Sequence, residues 1–261
     1  MGKLISIWGK NGSGKSTVAS NLACAFAKRG HKTALVGAKR FYSDIQYLFN
    51  MEIQAGQSLR TLLSGGDSLT LNEYFIQCPS EKNIYLASLA DADDCAGYRK
   101  LRVDMAVRFL NLVKKQFPVV LMDCDESVED PLSMYSLTFS DNIVYINRPS
   151  VQSVVFAKAY GSIVAGLQIM EQLMVVHIGG DAADAALYAP FGVKGRHCAL
   201  PYCKEIVQPR GGALPIMLSR GESRAAARYR REICALADGL MADGDGANSG
   251  CAQVKTDGGG D

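Results

Sequence analysis

The segment 9–16, GKNGSGKS, combines two glycines, a lysine and a serine at the spacing Gly9-x4-Gly14-Lys15-Ser16. This is the P-loop pattern, in which backbone N–H groups at the start of a helix surround a phosphate group. We expect Lys15 to reach the β- and γ-phosphates of a nucleotide and the Ser16 hydroxyl to bind Mg²⁺. The predicted phosphate-binding residues are Gly9, Lys10, Asn11, Gly12, Ser13, Gly14, Lys15, Ser16 and Thr17.

A carboxylate is expected near this loop, because a P-loop holds its metal together with an acid at the end of a neighbouring strand. The segment 117–127, FPVVLMDCDES, has an apolar run followed by Asp123. We predict that Asp123 joins Ser16 in holding Mg²⁺. Asp125 is a second candidate, although its place two residues beyond the strand is more typical of a turn cap.

The elements that position these residues alternate between strand-like and helix-like segments. Apolar runs predict strands at 4–8, 33–36, 84–89, 119–122, 142–146, 172–178 and 197–200. Helices are predicted near 15–29, 98–116, 131–138, 151–168 and 221–241. This alternation is typical of an α/β fold with a doubly wound, mostly parallel sheet and helices on both faces.

Composition indicates one globular domain with a polar tail. Hydrophobic residues make up 48% of the 261 residues, enough for a sizeable core, and the formal net charge is only +2. We assign 1–241 to a single P-loop domain and 242–261, rich in Gly, Asp and Ala, to a disordered tail. The charge is not that of a dedicated nucleic-acid-binding chain.

The cysteines and apolar runs bear on the compartment. Eight cysteines occur without a C-x-x-C pair, as expected of a reduced, cytoplasmic protein. His197, Cys198 and Cys203 match no common metal spacing, so we interpret them as core and loop residues. No apolar run reaches the roughly 18–20 residues that a membrane span needs. We therefore expect a cytoplasmic protein without a transmembrane segment, with peripheral attachment to a membrane or nucleoid as an option.

The second lysine of the loop, Lys10, has two interpretations. It is either a solvated loop residue or part of a motif, since 10–16, KNGSGKS, resembles the deviant Walker A motif of the MinD/ParA family of dimeric P-loop ATPases, Lys-Gly-Gly-x-Gly-Lys-Ser/Thr. The resemblance implies an ATP–Mg²⁺ homodimer in which Lys10 crosses to the partner's nucleotide while Lys15 acts within its own subunit. Asn11 departs from the motif, and because Asn tolerates a left-handed backbone, the loop shape is expected to survive.

The order of motifs extends this resemblance over residues 1 to about 240. The segments 21–36, 141–164 and 200–203, the last being LPYC, resemble the family's first helix and second strand, its later strand–turn–helix, and its loop near the base. The segment 33–49 is most similar to the CpaE/TadZ branch, whose members serve in pilus assembly, but the receiver-like domain common there is missing. The resemblance implies a protein partner in a localisation, secretion or pilus machine.

Two departures from the family concern hydrolysis and the base. Where the family's second strand ends in Asp-x-Asp, this chain has Gly37 and Lys39, and an ammonium group cannot accept a hydrogen bond or bind a metal. We therefore expect slow or absent hydrolysis, with Asp44 as a candidate replacement or merely a helix cap. His177 stands where the family often has an Asn that reads adenine. It either contacts the base together with Pro201 or is a buried strand-end residue.

The last predicted helix is amphipathic, with apolar residues on one face and arginines on the other. The arginines are Arg220, Arg224, Arg228 and Arg231. They are either a solvated outer face or a phosphate-binding surface for nucleic acid or anionic lipid.

Three functions follow from these observations. The first is an ATP-dependent dimerising switch for localisation or partitioning, acting at most as a slow ATPase. The second is a metabolic P-loop enzyme, such as a small-molecule kinase or an ATP-dependent ligase or synthetase, although no Arg-rich lid is evident. The third is a DNA-binding partition or conjugation protein that relies on the arginine face.

Overall fold

A mostly parallel sheet forms the centre of the molecule in the computed structural model, which describes residues 1–65, 70–94, 101–179, 190–193, 196–207, 214–219 and 223–242. In this part of the chain the sheet has eight strands in the order β3-β4-β2-β5-β1-β6-β7-β8, and only the β3–β4 pair is antiparallel. The strands are β1 (Lys3–Trp8), β2 (Thr33–Val36), β3 (Ile76–Gln77), β4 (Ile84–Ala87), β5 (Val119–Asp123), β6 (Asn142–Asn147), β7 (Leu173–Ile178) and β8 (His197–Leu200).

Seven α-helices lie in the described residues, and side-chain caps start several of them. Asp130, Ser150 and Ser223 accept hydrogen bonds from the backbone N–H three residues later, which satisfies donors that the helix leaves open. The helices are α1 (Lys15–Lys28), α2 (Leu59–Ser64), α3 (Val103–Gln116), α4 (Pro131–Phe139), α5 (Val151–Gly166), α6 (Lys204–Val207) and α7 (Arg224–Met241). Short 3₁₀ turns occupy Ile45–Phe49, Ala55–Gln57 and Pro190–Gly192.

Helices cover both faces of the sheet, each over its own apolar core. On one face α1 and α7 bury Leu22, Phe26, Ile233 and Leu236 against β-strand side chains. The other face is covered by α3, α4 and α5. Arg29 at the end of α1 pairs with Asp238 of α7 at 2.7 Å, so the last helix is fastened to the first by a salt bridge as well as by apolar packing.

The α/β fold with helices on both faces is confirmed, and each of the seven predicted strands is present. The sequence patterns missed β3, α2 and α6, which have two, six and four residues and therefore show too little periodicity to be recognised. The predicted tail beyond 242 and part of the predicted helix start at 98 lie outside the described residues. No helix in the described ranges is both long and apolar enough to cross a membrane.

The topology brings three chain segments together at one edge of the sheet. β1 lies between β5 and β6, and β2 pairs with β5 in parallel register. The carboxyl ends of β1, β2 and β5 therefore meet, and a ligand site in an open α/β sheet is expected outside such strand ends.

Candidate functional site

The loop between β1 and α1 has a backbone that only glycine allows at two of its positions. Gly9 has φ 144°, and a Cβ atom there would lie 2.6 Å from Ile146 O. Gly14, just before α1, has φ 104°. The loop is thus pressed against β6 at its start and turns sharply into the helix at its end, which points the first N–H groups of α1 into the loop.

Lys15 is buried inside this loop. Its ammonium donates to Gly9 O at 2.9 Å, to Lys10 O at 3.3 Å and to Asn11 Oδ1 at 3.1 Å. Burial lowers the pKa of Lys15, and Lys39 adds to this effect while Asp123 opposes it. Asn11 does not take the left-handed backbone that its place in the motif suggested. Instead, its side chain provides an acceptor for Lys15.

Lys39, at the end of β2, lies among the residues predicted to hold the metal. Its ammonium is 2.8 Å from Ser16 Oγ, 2.6 Å from Asp44 Oδ1 and 3.3 Å from Asp123 Oδ2. Lys39 is therefore not a solvated surface residue, because its side chain is only 17% exposed and pairs with two carboxylates. The expected cap role of Asp44 is also absent: its side chain caps no N–H of the 3₁₀ turn that follows it.

The carboxylates around Lys39 raise the pKa of its ammonium by more than burial lowers it. Burial lowers the pKa of this ammonium, but Asp123 and Asp44 raise it above its usual value. Burial likewise works to raise the pKa of Asp44, and Lys39 overcomes this and lowers it. Burial raises the pKa of the fully buried Asp123 carboxyl, and Lys39 counteracts part of that rise. Lys39 therefore stays protonated at neutral pH.

A divalent metal does not fit this set of side chains while Lys39 keeps its place. Ser16 and Asp123 are suitable ligands in type, but the ammonium already uses both. Two unit charges roughly 4 Å apart repel by about 4 kcal/mol at an effective dielectric constant near 20, and a divalent ion doubles that cost. In the described part of the chain, no three His, Cys, Asp or Glu side chains form a metal-binding group elsewhere.

The other missing acid, at Gly37, is explained by packing. A Cβ atom at Gly37 would lie 2.4 Å from Ser43 Oγ and 2.8 Å from Ser88 Oγ. The two hydroxyls thus fill the space that an aspartate side chain would need. The packing after β2 therefore leaves no room for the first of the two Asp-x-Asp carboxylates.

Sequence reasoning missed Glu126, which organises the loop from outside. Its carboxylate accepts from Asn11 N at 2.7 Å, and its carbonyl accepts from Trp8 Nε1 at 3.1 Å. Asp125 serves as a turn residue, since Oδ2 accepts from Arg40 N at 3.1 Å and Oδ1 from Ser127 N at 3.4 Å. The two adjacent acids after β5, Asp125 and Glu126, were a usable signal, but they did not reveal which chain segment each acid meets.

A cavity of about 180 Å³ opens beside the loop. Gly12, Ser13 and Thr17 of the loop line it together with Pro201, the residue predicted to lie near the base. The remaining lining side chains include Arg148, Ile178, Tyr202 and Tyr229. The sequence did not suggest Arg148 or Tyr229 as parts of a site.

His177 does not line this cavity. It is 1% exposed and points to the other face of the sheet, where Nδ1 meets Asn147 Nδ2 at 3.2 Å and Nε2 meets His197 Nδ1 at 3.0 Å. Burial, assisted by His197, lowers the pKa of His177 to about 4. Of its two interpretations, the buried strand-end residue agrees with the structure, and Ile178 takes the place beside the loop.

Lys10 and the arginines of α7 face outward. The Lys10 ammonium donates to Asn11 O at 3.0 Å in solvent-exposed surroundings. Arg224, Arg228 and Arg231 are exposed, whereas Tyr229 and Ile233 of the same helix are buried. Arg220, the fourth predicted member of this face, lies outside the described residues. Of the side chains predicted to form a metal and phosphate site, Lys15, Ser16, Asp44 and Asp123 are brought together around Lys39, which was not predicted to belong to it.

Sequence comparisons relate part of the chain to MinD proteins. No protein-family profile matches the chain. The septum site-determining protein MinD of Buchnera aphidicola subsp. Baizongia pistaciae is 24% identical over 146 residues, which is 56% of this chain and 52% of that protein. The chain thus spans about half the length of the curated relatives that it matches.

Two solved structures share the fold over nearly its full length. MinD from Pyrococcus horikoshii OT3, solved with Mg-ADP, has a TM-score of 0.71 at 18% identity and covers 91% of this chain and 96% of its own. A ParA family ATPase from Chlorobium tepidum TLS has a TM-score of 0.74 at 14% identity, covering 90% and 98%. These matches do not single out the CpaE/TadZ branch. The sheet order and these two structures show that the chain has the fold of the MinD and ParA ATPases, and its P-loop and its similarity to MinD agree with the resemblance to that family.

Proposed function

We propose that the chain is an ATP-binding switch that dimerises around the nucleotide and directs localisation or partitioning, with weak or absent hydrolysis. The observation that carries this proposal is the opposite placement of the two loop lysines. Lys15 is buried and points into the loop, whereas the Lys10 ammonium contacts only the adjacent Asn11 O among the residues that the structure describes. One lysine is placed for the phosphates of its own subunit, and the other is free to reach a second subunit.

Weak hydrolysis follows from the acceptors around Lys39. A general base or water-positioning carboxylate needs a free oxygen near the terminal phosphate. Gly37 supplies no carboxylate, and one oxygen of Asp44 already accepts from Lys39 at 2.6 Å. Asp44, proposed as the substitute acid, is thus occupied by a cation, which reduces its capacity to orient water.

Partners and cofactor are proposed from the relatives. MinD of Pyrococcus horikoshii was solved with Mg-ADP, and MinD of Aquifex aeolicus was solved with MinC. We propose ATP as the ligand and a protein of a localisation, secretion or pilus machine as the partner. A bound Mg²⁺ would use Ser16 and Asp123 and would supply charge neutralisation for the phosphates, but only after Lys39 had moved.

ATP-dependent dimerisation can be measured by sedimentation with a non-hydrolysable ATP analogue. The wild type is expected to dimerise when the analogue is added. Lys10→Ala should bind the analogue within about threefold of wild type but lose at least about tenfold in dimer affinity, since its contact is made only across the interface. A phosphate-release assay on the same samples measures turnover.

Each outcome bears on the proposal. An ATP-loaded wild type that stays monomeric refutes the dimeric switch, and Lys10→Ala that dimerises normally refutes the role of Lys10. Rapid phosphate release would show that another carboxylate replaces the lost pair. Phosphate transfer to a small acceptor would favour the alternative of a metabolic kinase or ligase.

The exposed arginines of α7 support a second function, binding to nucleic acid. Arg224, Arg228 and Arg231 lie on the outer side of a helix whose apolar side is buried, so their charges face solvent. Phosphate contacts release counterions, and each one contributes about −0.9 to the slope of log affinity against log salt concentration.

Replacing these three arginines with alanine is expected to weaken DNA binding and to reduce the salt slope by up to about 3. Gel shifts at several salt concentrations measure both effects. Arg102→Ala, which removes an arginine that is 72% exposed at the start of α3, is the matched control. Unchanged DNA binding by the triple variant contradicts the proposal, and loss of binding to anionic vesicles alone would assign the face to a membrane.

A further inference from the structure

We propose that the Lys39 ammonium replaces the divalent cation of this site, so that the chain binds nucleotide without Mg²⁺. This inference rests on the nucleotide binding proposed above. It concerns the same loop, but it predicts a metal-free nucleotide, whereas MinD from Pyrococcus horikoshii OT3 was solved with Mg-ADP. The site would take a nucleoside di- or triphosphate as the free anion.

The contacts of Lys39 are those that a bound cation would make. An ammonium has three donors. Ser16 Oγ accepts from it at 2.8 Å and Asp44 Oδ1 at 2.6 Å, and the Asp123 carboxylate forms an ion pair with it at 3.3 Å without a hydrogen bond. The Ser16 hydroxyl and the Asp123 carboxylate are the two groups predicted to hold Mg²⁺. The lysine thus neutralises the carboxylate that a metal would otherwise neutralise.

The backbone on both sides of Lys39 is held by hydrogen bonds. Ala38 O accepts from Asp125 N at 3.1 Å and from Ser133 Oγ at 3.0 Å, and Arg40 N donates to Asp125 Oδ2 at 3.1 Å. The residues on both sides of Lys39 are therefore tied to the segment that follows β5. Only the side chain itself could withdraw, and the buried Asp123 would then lose its ion-pair partner and keep only the weaker influence of Lys15.

A phosphate group can approach this arrangement beside Asp44. The Asp44 side chain is 60% exposed, whereas that of Asp123 is fully buried. An incoming phosphate oxygen can therefore approach the ammonium from this exposed side and accept from its third N–H group, while Ser16 and Asp44 keep the other two. Lys15 lies inside the same loop, so two ammonium groups would share the negative charge of the phosphates.

Calorimetric titration of ADP tests this role in the presence of excess Mg²⁺ or excess EDTA. The wild type should bind ADP with affinities that agree within about threefold in the two buffers. Lys39→Met keeps the length of the side chain without its charge and opens the site to a metal. It should bind at least about tenfold more tightly with Mg²⁺ than with EDTA. Lys115→Met, at an exposed lysine of α3, is the matched control and should behave as wild type.

Equilibrium dialysis with Mn²⁺ and ADP gives a direct readout of the metal. The wild type should retain ADP without Mn²⁺, and Lys39→Met should retain about one Mn²⁺ per ADP. A wild type that needs Mg²⁺ for binding, or that retains Mn²⁺ with ADP, overturns this inference but leaves the proposed function standing. A wild type that binds no nucleotide in either buffer overturns both. The two wild-type measurements decide the question even if Lys39→Met fails to fold.

Discussion

Replacing Lys15 with alanine is expected to weaken ATP binding by at least about 30-fold, because removing one member of a buried charge pair costs about 2–5 kcal/mol. The ammonium lies within 3.3 Å of three acceptors of the loop, in the space that the phosphates would enter. Without nucleotide, these loop acceptors bind the Lys15 ammonium, and phosphate oxygens would replace them as its hydrogen-bond acceptors.

Calorimetry with ATP measures this loss, and circular dichroism checks that the variant is folded. Lys115→Ala removes an exposed lysine of α3 and serves as the control for charge alone. Lys10→Ala provides a sharper comparison, since it removes the other lysine of the same loop. If Lys15→Ala binds ATP within about threefold of wild type, the loop is not the nucleotide site.

The loop could be predicted from the sequence because its geometry is local. Gly9 and Gly14 have conformations that require glycine, and the apolar run before them forms the strand β1. The spacing of such residues is visible in a linear string. Periodicity similarly reveals long elements, whereas the two residues of β3 depend on pairing with β4.

The environment of Lys39 could not be predicted in the same way, because it depends on which strands are neighbours. The sequence indicated that an acid was missing at this position, but not that the replacement ammonium would lie 3.3 Å from Asp123, 84 positions along the chain. The pairing of β2 with β5 brings the two together. The sequence therefore showed only that a carboxylate was missing at position 39, whereas the fold shows that the Lys39 ammonium pairs with Asp123.

His177 illustrates a second limit, set by the alternation of side chains along a strand. A shift of one position moves a side chain to the other face of the sheet. His177 and Ile178 are adjacent at the end of β7, and Ile178 faces the cavity while His177 meets Asn147 and His197. Matching a family position to within one residue was not enough to assign its face.

The support beneath the loop is expected to have the largest effect on stability. Trp8, the only tryptophan of the chain, is buried, and its ring lies within 6 Å of four aromatic rings, those of Tyr145, Phe156, Tyr160 and Phe191. Its Nε1 donates to Glu126 O, and Glu126 in turn holds the backbone of Asn11. Trp8 therefore links the core on the α5 side of the sheet to the phosphate loop.

Trp8→Ala should lower the free energy of unfolding by about 3–5 kcal/mol, because it leaves a large cavity and an unpaired carbonyl. Chemical denaturation followed by circular dichroism measures the change without relying on the lost fluorophore. Tyr42→Ala removes a side chain from a residue that is 73% exposed and should change stability by less than about 0.5 kcal/mol. Trp8→Phe keeps most of the ring contacts and loses the hydrogen bond, so it should fall between the two. A loss below about 1 kcal/mol for Trp8→Ala would mean that the aromatic cluster collapses around the gap, and the loop would not depend on this residue for its support.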